Sequence, residues 1–95
     1  MAQRELQPYA PSNVTVTGAS GTLMSADGFA QIVELHNTDA SNGIWFCHAS
    51  ETAEVNKGFY LGPATTKTFV DVVPRGGLNA IASVTSGVVV AVTKG

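Results

Sequence analysis

Apolar and polar residues alternate along most of this chain in short runs, broken by glycine, proline, asparagine and serine. Strict alternation over four to eight residues is the mark of a strand with one face buried. Asn13–Thr17 (NVTVT) is alternating and β-branched; a Gly18–Gly21 turn separates it from a second strand over Thr22–Ser25. In FAQIVELHN, Phe29, Val33 and Leu35 share one parity and are expected to face a core, with Glu34 and His36 facing away. Gly43–Ala49, the GFYLG run at 58–62 and Thr66–Val72 read as three further strands, and residues 77–95 as two more. The intervening ASETAEVNK (49–57) is too short for an independent helix and reads as a loop or single turn. The predicted fold is all-β, a small antiparallel β-sandwich or barrel of about eight short strands. Residues 1–12 are expected to be an extended N-terminal arm and residues 13–95 a single domain.

Two dipeptides predict local pairing. Asp27-Gly28 is a two-residue hairpin signal that would set Ala26 against Phe29, Met24 against Gln31 and Thr22 against Val33. A Ser86-Gly87 turn would pair Thr85 with Val88, Ala82 with Ala91 and Ala80 with Thr93. One face of that closing hairpin then carries Leu78, Ala80, Ala82, Val84, Val89 and Ala91, the other Ile81, Ser83, Val88, Val90 and Val92. Both faces are mostly apolar, and a two-layer sandwich covers only one. The expectation is that the other meets a partner, with Ala80, Ala82 and Ala91 at the contact. Scattered small apolar residues on a surface are also ordinary, so plain exposure stands as the alternative.

Composition narrows the field. Charged residues make up 13% of the chain, against a usual ~25%, and the net charge is −2. The five basic residues are scattered and none lies beside an aromatic stripe, which disfavours nucleic acid as a partner. No apolar run approaches the roughly 20 residues of a membrane span. One cysteine, Cys47, cannot form a disulfide within the chain, and the polar N-terminus points to synthesis in a reducing cytoplasm. Pro8 and Pro11 bracket Tyr9 and bias the residues before them towards extended backbone, so the segment is expected either to be disordered alone or to lie against a neighbour, a subunit or other partner, through these three residues.

Candidate chemistry is thin. His36 and His48 flank the strand that holds Cys47, but Cys47 and His48 are adjacent and point to opposite faces, and no metal-ligand spacing occurs. Gly18-Ala19-Ser20-Gly21 approaches a nucleophile elbow yet has Thr22 in place of the second glycine. Asp27 and Asp39 sit among turn residues, and Asp71 at a strand end. Asn13-Val14-Thr15 matches a glycosylation acceptor but suits a strand equally well. Trp45, within Ile44-Trp45-Phe46-Cys47, fits a core more readily than a sugar platform. The expectation is a protein that is not an enzyme and carries no cofactor or metal.

The second half has a recognisable cadence: LHNTDASNGIWFC, then GFYLGP, KTFVDV and GLNAIASVTSGVVVAV. Over roughly residues 29–93 it resembles a widespread group of small virion proteins of tailed bacteriophages. In that group a turn precedes a strand, a proline–glycine corner follows, and the chain ends on an alanine- and valine-rich hairpin. Gly62-Pro63-Ala64 departs from the group's usual proline–glycine order. The resemblance implies a non-enzymatic virion structural protein made in the host cytoplasm, in first place a capsid decoration (cement) protein. A tail or head-fibre component with a glycan- or receptor-binding role is the alternative. Its implied partners are itself, as a homotrimer, and the major capsid protein or another virion protein.

Overall fold

The computed structural model describes residues 12–28, 30–70 and 72–94. Eight strands run in chain order as β1 (Ser12–Val16), β2 (Gly21–Met24), β3 (Val33–Asn37), β4 (Ile44–His48), β5 (Phe59–Leu61), β6 (Thr66–Phe69), β7 (Leu78–Ala82) and β8 (Val88–Lys94). They form two antiparallel four-stranded sheets, ordered β1-β8-β3-β6 and β2-β7-β4-β5. The all-β expectation therefore holds, and each expected strand is present. Among the described residues there is no helix, and 49–58 is a chain of turns. Strand β6 stops at Phe69, short of Val72.

Alternation builds the core directly. Val33 and Leu35 of β3, Ile44 and Phe46 of β4, Leu78, Ala80 and Ala82 of β7, and Val88, Val90 and Val92 of β8 all turn inward and are buried. Glu34 and His36 lie outward, as their parity requires. Phe29 and Asp71 lie outside the described residues.

The strand pairing departs from the local reading. Of the seven connections, only β4 to β5 stays within one sheet, pairing Ile44 with Leu61 and Phe46 with Phe59. Neither predicted hairpin forms. β7 pairs with β2 and β4, whereas β8 pairs with β1 and β3. The reason lies in the two apolar sets of the closing segment. A hairpin would aim Ala80 and Ala82 one way and Val88, Val90 and Val92 the other, leaving one set outside the core. Placing the strands in opposite sheets lets both sets face inward across the sandwich, which removes more apolar area from water.

The Asp27-Gly28 segment is likewise a bridge between sheets. The Asp27 amide donates to the Arg75 carbonyl at 2.7 Å, and Arg75 Nε donates to the Ala30 carbonyl at 2.8 Å. The β2–β3 connection is thus pinned to the β6–β7 connection instead of closing on itself. Eight strands alternating between two sheets in this order make a jelly roll, a double-sheet Greek-key architecture.

Candidate interaction face

The two sheets turn different surfaces outward. On the outside of the first sheet, Asn13 and Thr15 of β1 pair with Ala91 and Val89 of β8. Glu34 and His36 of β3 then sit beside Thr93 and Ala91, and beside Thr68 and Thr66 of β6. This is a threonine-rich, largely polar face. His36 Nδ1 and Thr66 Oγ1 lie 2.8 Å apart across it.

The outside of the second sheet carries Thr22, Asn79, Ile81, Trp45, Cys47 and Tyr60, none of them a formal charge. Ile81, Trp45 and Tyr60 are register partners on three successive strands, so they form one apolar row. The Trp45 and Tyr60 rings meet at 4.9 Å between centroids, tilted by 46°. Tyr60 is 56% exposed. Its ring lies over the backbone of buried Gly43: a Cβ there would come within 2.6 Å of ring carbons Cε1 and Cζ. The absence of a side chain at 43 is what lets the ring lie down. Trp45 is therefore a half-buried member of the outer face, not the core residue its apolar neighbours suggested; Ile44 and Phe46 take that place.

Apolar surface continues around the β5–β6 rim. Phe59 stacks on Phe46 at 5.4 Å yet stays 63% exposed. Phe46 meets Phe69 edge-on at 6.3 Å, and Lys67 Nζ sits 5.4 Å from the Phe69 centroid. Val70 and Val72, just after β6, are exposed as well.

The loops under this face are held by Asn37, a fully buried polar side chain at the end of β3. Its Nδ2 lies 2.9 Å from the Asn42 carbonyl, 3.1 Å from that of Gly62 and 3.3 Å from that of Leu61. Its Oδ1 accepts from the Asp39 amide at 2.9 Å. A side chain of the first sheet thereby anchors the end of β5, the strand that bears Tyr60. Asp39 Oδ1 accepts in turn from the amides of Ser41 and Asn42, and these bonds hold its carboxyl below the ordinary range. Ala64 donates its amide to the Asp39 carbonyl and adopts φ 55°, the left-handed region. Ala64 thus holds a backbone conformation that glycine adopts at no steric cost.

The residues expected to make contacts fall in three places. Ala80 and Ala82 are about 1% exposed in the core, because β7 turns them towards the opposite sheet, so they offer nothing to a partner. Ala91 is half-buried on the polar outer face. Pro8, Tyr9 and Pro11 lie outside the described residues. The Ile81–Trp45–Tyr60 row was missed as a unit. The parity of Trp45 against Ile44 and Phe46 was its only local sign, and the pairing that brings Ile81 alongside is not local.

The other candidates have structural partners. Ser20 Oγ accepts from the Ala53 amide at 2.9 Å, tying the long β4–β5 loop to the β1–β2 turn. His48 Nδ1 accepts from the Ser50 amide at 3.1 Å. The Cys47 thiol lies 3.7 Å from the Glu51 carbonyl; burial, aided by the Glu51 charge, pushes its pKa up, away from thiolate reactivity. Among the described residues, no group of three or more His, Cys, Asp or Glu converges to hold a metal. No helix there is long and apolar enough to cross a membrane. No family model, curated protein or solved structure matches the chain.

Proposed function

We propose that this chain is a non-enzymatic structural protein of a bacteriophage particle, a capsid decoration protein that binds the assembled shell as a homotrimer. The observation that carries the reading is the uncharged aromatic row Ile81–Trp45–Tyr60, fixed over Gly43 on one outer face while the opposite outer face is polar. Pre-set aromatic anchors are what protein interfaces use at their centres. The sequence cadence described above supports the placement in a virion. The jelly-roll topology is compatible with it by analogy alone, since that architecture serves viral capsids, lectins and cupins alike. A protein that binds only assembled capsid raises the energy needed to take the shell apart, as any ligand selective for one state does.

The alternative, a tail or head-fibre module that binds a glycan, draws on the 56% exposure of Tyr60 beside Trp45. Co-sedimentation with intact shells tests the first reading. Tyr60→Ala should weaken binding about thirtyfold, the scale of an interface anchor, while Ala91→Ser on the polar face leaves it unchanged. Equal binding by both variants, or none by the parent protein, sinks the decoration reading. Acrylamide quenching of Trp45 relieved by added oligosaccharide would favour the second.

A further inference from the structure

Of the five asparagines, at 13, 37, 42, 56 and 79, only Asn42 is followed by glycine. A side chain on the following residue shields its backbone nitrogen from the asparagine carboxamide, and glycine provides no such shield. Position 43 is closed to other residues, because a Cβ there would come within 2.6 Å of Tyr60 ring carbons. The packing that seats the aromatic row therefore places a chemically labile dipeptide just ahead of β4. The same packing restrains it. The Asn42 amide donates to Asp39 Oδ1 at 2.9 Å, and the Asn42 carbonyl accepts from Asn37 Nδ2 at 2.9 Å. Gly43 is buried, with the Tyr60 ring over it. Asn42 is thus pinned at both its N–H and its C=O, and the Gly43 N–H is kept from the solvent base that must take its proton before it can attack.

We propose that Asn42 is a self-modification site, released when the Tyr60 ring lifts, and that its product no longer seats the aromatic row. The Gly43 nitrogen forms a bond to Asn42 Cγ, the Cγ–Nδ2 bond breaks, and Nδ2 leaves as ammonia with the proton that the Gly43 amide gave up. Water then opens the succinimide ring at either carbonyl. One product is aspartate; the other is isoaspartate, with the main chain rerouted through Cγ. Both add a carboxylate at position 42, and in the aspartate it stands where Nδ2 now lies 3.5 Å from Asp39 Oδ1. Like charges that close repel, and Asp39 already accepts the Ser41 and Asn42 amides that shape this loop. Isoaspartate also lengthens the main chain by a carbon shortly before Ile44, whose partner is Leu61 beside Tyr60. Either product loosens the junction at which Asn37 anchors the end of β5. The reaction needs no reactant but water, and it is independent of what the face binds.

To test this, the full chain is incubated folded in mildly alkaline buffer, and again in urea, and the peptide spanning 42 and 43 is followed by mass. Its gain, an amide exchanged for an acid, should appear at least about tenfold faster in urea, since in the folded chain the reaction waits for a local opening. Tyr60→Ala, folded and well below its melting temperature, should react about fivefold faster than the parent. If that variant loses its cooperative melt, Tyr60→Leu takes its place. The deamidated fraction, separated by its extra negative charge, should melt lower and show Trp45 emission shifted to the red. Isomerisation at Asp27-Gly28 leaves the mass unchanged, so it does not enter the count. Equal rates in the folded and unfolded parent, or in the parent and the Tyr60 variant, overturn the gating by the ring. A mass gain at another asparagine in its place overturns the site, and an unchanged melt and emission in the deamidated fraction overturn the loss of the row.

Discussion

The outer faces of the two sheets are built on the same plan and end with opposite characters. Each is centred on a strand from the apolar close of the chain, β8 in one and β7 in the other, flanked by two neighbours in antiparallel register. What differs is what stands beside the centre. Val89 and Ala91 have Thr15, Asn13 and His36 for company, so that face is wet. Ile81 has Trp45, and Trp45 has Tyr60, so the other becomes an aromatic row. A strand's own composition does not decide whether its outer face binds; its lateral neighbours do.

The comparison can be broken from beneath. Asn37→Ala removes the side chain that holds the end of β5 and leaves the Asn42, Leu61 and Gly62 carbonyls short of a donor. A loss of about 3 kcal/mol is expected in urea unfolding, the scale of buried groups left unsatisfied. Gly43→Ala should cost about 2 kcal/mol, because its Cβ must displace the Tyr60 ring. Trp45 emission should then shift to the red. Ala91→Ser on the polar face should stay within about 0.5 kcal/mol. If the two substitutions proved equal, the aromatic row would not be held by Gly43.

Smaller effects sharpen the picture. Ala64→Gly relieves the left-handed backbone at φ 55° and should stabilise by about 0.5 kcal/mol, the strain relief outweighing the added chain entropy. The least effect concerns pH. The lowered carboxyl of Asp39 contributes stability that is complete above the pKa of the unfolded chain and is lost as pH falls through the folded value. Asp39→Asn should therefore flatten the acid limb of the stability–pH curve by lowering the neutral region, with the most acid end little changed. A curve that keeps its slope would place the acid sensitivity elsewhere.

All eight strands were legible in the sequence because alternation is a local property, and burial followed it at Val33, Leu35, Ile44 and Phe46. Sheet membership was not. Asp27-Gly28 and Ser86-Gly87 carry the residue types of tight turns, but turn chemistry states only that the chain bends, not which strand it meets afterwards. That choice is made by the need to bury Ala80 and Ala82 against the same core as Val88 and Val90, a balance struck over the whole sandwich. The misassigned alanines follow from that single error. Trp45 and Tyr60 were visible as aromatics, yet their meeting with Ile81 depends on β4 lying between β5 and β7.

Strand β8 occupies the middle of the first sheet, between β1 and β3, although fifty residues separate it from the end of β3. During synthesis, β1 and β3 leave the ribosome long before the strand that must join them. The first sheet cannot close until β8 has emerged, so the nascent chain holds unpaired, valine-bearing edges for most of its elongation. Folding dominated by such distant pairings belongs to the millisecond-to-second range, and it exposes the chain to aggregation in the interval. Yield of this protein should accordingly respond to chaperone supply and growth temperature more than to changes on its surface.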